Sequence, residues 1–116
     1  MQDRKNKKNY ELDFKGNREL KKFLKILKRK FNLSKIILFG SRAKGNYLKE
    51  SDYDLIIVSD YFKNIPFLER MKLVYELCDL DINVDIFPIT EEKYEKRKNE
   101  ISILGEGIRE GILVEI

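Results

Sequence analysis

Three short apolar runs constrain the fold of this chain more than any other feature. Residues 35–39 (K-I-I-L-F), 54–58 (D-L-I-I-V) and 82–87 (I-N-V-D-I-F) are each five or six residues long. That is strand length, not helix length. Around them the apolar residues fall at helical spacing. Leu20, Phe23, Leu24, Leu27 and Phe31 form one stripe, with Lys21, Lys22, Lys25, Lys28 and Lys30 mostly between them. This predicts a helix capped at Asn17 and ending at Asn32. Pro66 suits the first turn of a second helix, whose stripe of Phe67, Met71, Val74, Tyr75 and Cys78 runs to about Leu80. Pro88 is expected to end the third strand. Thr90 followed by Glu91, Glu92 and Lys93 opens a further helix, with room for a break before about Arg109. Gly111 and the I-L-V run after it predict a last short strand. Helix, strand, strand, helix, strand, helix is an α/β domain whose sheet is covered by helices. Residues 1–16 read as a flexible N-terminal arm, in which Tyr10, Leu12 and Phe14 alternate enough to add an edge strand. Residues 17–116 read as a single domain.

Composition narrows the chemistry. The chain has no histidine and a single cysteine, Cys78. Histidine general bases, Ser-His-Asp triads and zinc sites with His or several Cys ligands are excluded together. Catalysis must use carboxylates, hydroxyls, Lys or Arg, or a metal held by oxygen. One cysteine, no secretory signal and no long apolar stretch make the reducing cytoplasm the expected compartment, with no membrane partner.

The segment Gly40-Ser41-Arg42-Ala43-Lys44-Gly45, followed by Ser51-Asp52-Tyr53-Asp54, lies between the first two predicted strands. In extended chain, side chains two apart share a face, so Asp52 and Asp54 project together. Their repulsion is relieved by a hard divalent cation with oxygen ligands, for which Mg²⁺ with phosphate is the common case. Asp85 sits inside Val84-Asp85-Ile86-Phe87, a run that otherwise reads as buried strand. A lone charge there is costly without a partner. If the third strand lies beside the second, Asp85 reaches the same cation, and three carboxylates would hold two metal ions. Gly40 allows the backbone to approach a ligand closely. A helical turn opening at Ser41 would present N–H groups and a hydroxyl to a phosphate chain, which Arg42 and Lys44 would neutralise.

Each feature alone has a plainer reading. Gly-Ser after a strand is usually a turn, Asp-x-Asp a turn with local hydrogen bonds, and a strand aspartate an edge residue facing solvent. Their occurrence in this order is what points to one site. Gly40 and Gly45 have the glycine spacing of a P-loop, but Asn46-Tyr47 stands where Lys-Ser/Thr is required. The G-x-G-x-x-G of dinucleotide folds is missing from the sequence.

With Gly40-Ser41, ten intervening residues (42–51) and Asp52-Tyr53-Asp54, the chain resembles the nucleotidyltransferase superfamily related to DNA polymerase beta. More narrowly it is similar to the minimal nucleotidyltransferases, or MNT proteins. The S-R-A-K-G continuation, the serine before Asp52 and the later Asp85 fit the same pattern. The resemblance spans roughly residues 33–116. It implies a small mixed β-sheet covered by helices, with ATP as the nucleotide donor. It also implies that Asp52 and Asp54 ligate Mg²⁺ and that Asp85 completes the site and helps to deprotonate the attacking hydroxyl. Gly40 and Ser41 would hold the β- and γ-phosphates, with Arg42 assisting. Many of these small proteins are antitoxins of a helical HEPN toxin, an RNase, and transfer AMP to a tyrosine hydroxyl on it. A chain with no room for a substrate domain of its own favours an acceptor supplied by a partner protein.

Two other classes compete with this reading. One is a binding module that neutralises its partner without catalysis; the intact carboxylate set argues against it. The other is transfer to RNA or a small molecule. Residues 1–50 hold 16 Lys/Arg against 5 Asp/Glu, whereas residues 51–116 hold 8 against 15. The basic half is what favours RNA, and a solvated lysine face on the first helix accounts for most of it. The apolar stripes would also serve dimerisation, which the sequence leaves open.

Overall fold

A computed structural model describes residues 18–44, 52–79 and 83–116. The expected arm at 1–16, its edge strand and the Asn17 cap lie outside the described residues, as does the side chain of Lys44.

The lysine-studded stripe forms α1 (Arg18–Phe31), and its buried residues are Leu20, Phe23, Leu24, Leu27 and Phe31, as the spacing requires. Lys22, Lys25, Lys28, Arg29 and Lys30 are exposed on its other side. Asn32 stops the helix in the left-handed region (φ 51°). The N–H of Leu33 then donates to the Lys28 carbonyl at 3.1 Å. That is the bond with which a helix C-terminus commonly satisfies its last carbonyls.

Next come β1 (Lys35–Phe39), the short helical turn α2 (Ser41–Lys44) and β2 (Tyr53–Val58). They are followed by α3 (Phe67–Tyr75), β3 (Val84–Ile89), α4 (Glu91–Arg97), α5 (Ile103–Glu110) and β4 (Ile112–Leu113). Among the described residues the sheet has four strands in the order β3-β2-β1-β4. β1 pairs antiparallel with both β2 and β4, and β2 pairs parallel with β3. The sheet is therefore mixed and flanked by helices, the fold class expected from the sequence.

Strand alternation divides the core into two layers. Ile36, Leu38, Leu55, Ile57 and Ile86 pack with the stripe of α1 and with Val74 of α3. Ile37, Phe39, Ile56, Val58 and Ile89 pack on the other face with Ile108 of α5. Buried Ser59, at the end of β2, ties the first layer together. Its hydroxyl donates to the Phe31 carbonyl at 2.5 Å and accepts from the N–H of Tyr61 at 3.0 Å. It thereby caps a 3₁₀ turn at Asp60–Phe62, whose Phe62 packs beside Phe31 with ring centroids 5.3 Å apart.

Three local expectations need correction. Pro88 does not end the third strand, which runs on to Ile89. Among the described residues β3 is an edge strand, and the N–H of Ile86 points away from β2 toward Tyr75. Two residues on, the proline nitrogen faces the same way, so no ladder bond is lost. The helix after Pro66 stops at Tyr75 and not near Leu80, because the N–H groups of Leu77 and Cys78 turn back to Val74 and Tyr75. Within its stripe Phe67 is exposed and only Val74 is fully buried. The region from Thr90 does break, into α4 and α5, and each helix has its own cap: Thr90 Oγ1 accepts from Lys93 and Ser102 Oγ from Gly105. Among the described residues no helix is long and apolar enough to cross a membrane.

Candidate active site

The site is built where β1 ends and where β2 and β3 begin. Tyr53 is buried in the α1 layer, so its neighbour Asp54 points to the opposite face with Ile56 and Val58. Parallel pairing sets Asp54 opposite Asp85, Tyr53 opposite Val84 and Leu55 opposite Ile86. The two aspartates are thus lateral neighbours on adjacent strands, with backbones about 4.8 Å apart. Asp52 stands just ahead of β2 and is exposed, as is Asp85.

Burial, with the negative charges of Asp85 and Asp52 added to it, pushes the Asp54 carboxyl above its ordinary value of 3.8. The three carboxylates therefore share one electrostatic neighbourhood, and Asp54 carries the strain of it. Among the described residues no three His, Cys, Asp or Glu side chains are gathered closely enough to form a ready-made metal cage. The donor set nevertheless suits a hard divalent cation: carboxylate oxygens on neighbouring strands whose mutual repulsion a positive ion would relieve.

β1 closes the site from its other side. Gly40 turns with φ +78°, a conformation that side chains rarely adopt. A Cβ there would run into the Asp54 carboxyl, so the glycine is demanded by the contact as well as by the turn. Ser41 then opens α2, and the N–H of Ala43 returns to the Gly40 carbonyl at 3.1 Å. Arg42 lies with its guanidinium 4.0 Å from the centroid of the Tyr53 ring. The middle residue of Asp52-Tyr53-Asp54 thus seats the arginine expected to meet phosphate, through a cation–π contact. The structure brings Gly40 and Asp85 to Asp54, with Asp52 within electrostatic reach, while Ser41 opens α2 beside Gly40 and Arg42 lies on the Tyr53 ring.

Sequence reasoning missed the part that α5 plays at this site. A cleft of about 250 Å³ beside Asp54 has Phe39 and Gly40 on one wall and Ile103, Glu106 and Glu110 on the other. The helix comes this close because Gly107 has no side chain: a Cβ would meet the Phe39 ring at 2.9 Å. The available signal was Gly105-Glu106-Gly107 behind the capping Ser102. Sequence reasoning also missed Tyr75. Its hydroxyl accepts from the N–H of Ile86 at 2.8 Å and donates to the Val84 carbonyl at 3.2 Å, bracketing Asp85.

Known proteins match this arrangement. A protein of Methanocaldococcus jannaschii named "Putative protein adenylyltransferase MJ0604" is 51% identical over 43 residues, 35% of this chain and 43% of its own length. A second from that organism, "Putative protein adenylyltransferase MJ1217", is 40% identical over 68 residues, 58% of this chain and 67% of its own length. The chain thus spans less than half of the first relative and about two thirds of the second. A solved "putative nucleotidyltransferase" from Sulfolobus solfataricus superposes with a TM-score of 0.63 at 25% identity, covering 83% of this chain and 76% of that one. The sequence profile of the nucleotidyltransferase domain matches residues 20–109, from α1 through α5. The chain belongs to the nucleotidyltransferase domain family.

Proposed function

We propose that this protein transfers AMP from ATP to a hydroxyl on a partner protein. The observation that carries the reading is the in-register pair of Asp54 and Asp85 with the Gly40 turn pressed against Asp54. In this reading Gly40 and Ser41 hold the β- and γ-phosphates, Arg42 offsets their charge from its seat on Tyr53, and Lys44 adds to it. The acceptor oxygen attacks the α-phosphorus and the bond to the bridging β-oxygen breaks. Pyrophosphate leaves with the bonding electrons, and Asp85 takes the hydroxyl proton. Asp52, Asp54 and Asp85 would hold Mg²⁺, with two ions expected, and the metal would supply charge neutralisation for the transferring phosphate.

A protein acceptor and ATP as donor are supported by the printed names of the Methanocaldococcus relatives, which specify protein adenylyltransferase. The Gly-Ser…Asp-x-Asp spacing supports the narrower assignment to the minimal nucleotidyltransferases. On that basis the acceptor is a tyrosine of a helical HEPN toxin, and the protein acts as its antitoxin.

The test is transfer of label from α-³²P-ATP with Mg²⁺ in a lysate of the encoding organism. Wild type is compared with the Asp52→Asn/Asp54→Asn double variant. A labelled protein band that the double variant cannot produce supports AMP transfer and identifies the partner. If both proteins silence a co-expressed toxin equally and neither labels it, the protein is a binding antitoxin and the catalytic reading is wrong.

A further inference from the structure

The far wall of the cleft beside Asp54 has a charge the nucleotide does not explain. Glu106 and Glu110 stand one turn apart on α5, both exposed and both lining the cleft. Neither makes an ion pair among the described residues, although neighbouring charges do: Arg97 with Glu100 at 2.8 Å and Lys98 with Glu95 at 2.7 Å. Arg109 gives its Nη1 to the carbonyls of Lys98 and Glu100. Like charges four apart oppose a helix, and Glu110 in the last turn also opposes the helix dipole. The helix dipole favours Glu106, which lies in the first turn, but local stability does not account for Glu110, whose charge is left to face a ligand.

Where α5 begins, two aliphatic side chains stand out in water. Ile101 is fully exposed and Ile103, which also lines the cleft, is 80% exposed. A polyphosphate gains nothing from either feature, since acidic groups repel it and isoleucines cannot bind it. The exposed lysines of α1 give no help here, because α1 covers the other face of the sheet.

We propose that this cleft, walled by Glu106 and Glu110 and edged by Ile103 with exposed Ile101 just before it in the chain, is the acceptor site, and that it takes a basic polypeptide segment with an aliphatic residue beside the reactive hydroxyl. The inference rests on the nucleotidyl-transfer reading for placing the reacting centre at Asp54. Charge complementarity selects the cationic segment and repels an RNA backbone. The isoleucine edge selects a polypeptide over a small polyamine or amino sugar, which has no aliphatic side chain to bury.

The test uses the full chain and three short fluorescent peptides, each with a central tyrosine. The first is flanked by lysine and leucine, the second has glutamate for lysine, and the third has serine for leucine. By fluorescence anisotropy the first should bind at least about tenfold more tightly than the second, and more tightly than the third. Glu106→Lys/Glu110→Lys should weaken the first and strengthen the second, a reversal that misfolding cannot produce. Ile101→Ser/Ile103→Ser should weaken the first alone. Equal binding of the first two peptides, or binding of the first untouched by both variants, overturns the proposal. So does spermine that displaces the first peptide from wild type and binds the isoleucine variant as tightly. Binding of a fluorescent ATP analogue with Mg²⁺ to wild type is measured separately. Nucleotide binding without peptide binding defeats this inference alone, whereas no nucleotide binding defeats the transfer reading beneath it.

Discussion

The hydroxyl of Tyr75 accepts the peptide N–H of Ile86 at 2.8 Å, and through it α3 grips the outer edge of β3 on either side of Asp85. Burial pushes the Tyr75 phenol above its ordinary value, so it remains a protonated donor to the Val84 carbonyl at neutral pH. Among the described residues β3 ends the sheet, and the hold on this stretch from outside comes from Tyr75. Tyr75 thus holds the backbone on either side of Asp85 from the scaffold, and in the proposed transfer reaction it is a positioning residue.

Tyr75→Phe should therefore fold, cost about 1 kcal/mol in stability, and lower the transfer rate by roughly tenfold through a looser Asp85. Denaturant unfolding and the labelling assay measure the two effects. A stability loss with an unchanged rate and unchanged Mg²⁺ dependence would assign the tyrosine to structure alone.

Asp54→Asn should lower transfer by roughly a hundredfold or more, the scale of losing one charged group from an active site, yet raise the stability of the metal-free protein. The sign follows from the raised folded-state value of Asp54. A carboxyl of this kind stabilises the fold while protonated, below its unfolded value, and that contribution disappears as pH rises through the folded value. Wild type and variant should then melt together in acid and separate toward neutral pH, with the variant higher. Added Mg²⁺ should narrow the gap by raising wild type. A variant that melts lower at neutral pH would show that repulsion at Asp54 is unimportant.

Gly40→Ala should damage both turn and site. The positive φ alone costs about 1–2 kcal/mol in a residue with a Cβ, and that Cβ must displace the Asp54 carboxyl. Stability should fall by at least that amount and label transfer should be lost. Full transfer by a folded variant would mean that the turn and Asp54 are not coupled.

Ser59→Ala should act on stability alone. It removes a buried hydroxyl that bonds the Phe31 carbonyl and caps the 3₁₀ turn, worth about 1–2 kcal/mol, with Tm falling by roughly 4–8 °C for each kcal/mol lost in a domain of this size. Calorimetry reads the loss, and the rate of the remaining folded protein should match wild type.

The α1 stripe was legible in the sequence because it buries one face at helical spacing, and β1 and β2 because they are short runs apolar on both faces. Asp52, Asp54 and Asp85 stood out because charges at the mouths of apolar strands break that pattern. The contributions of α5 and Tyr75 were not legible. Glu106 and Glu110 look like any solvated pair until the bare backbone of Gly107 lets α5 settle on Phe39. Tyr75 reads as one member of an apolar stripe, and its hydroxyl gains meaning only when β3 lies at the sheet edge. Pro88 misled for the same reason: a proline is tolerated or not according to which way its missing N–H would have pointed.

The pairing of Asp54 with Asp85 also protects itself against error. A slip of β3 by one residue along β2 would exchange its two faces. Asp85 would then turn into the layer occupied by Leu20, Leu24 and Val74, where an unpaired carboxylate is prohibitively costly, and Ile86 would be expelled to the cleft. The residue proposed to take the acceptor's proton thus serves also as an alignment key during folding, and chains that mispair at this strand lose their core along with the proposed site.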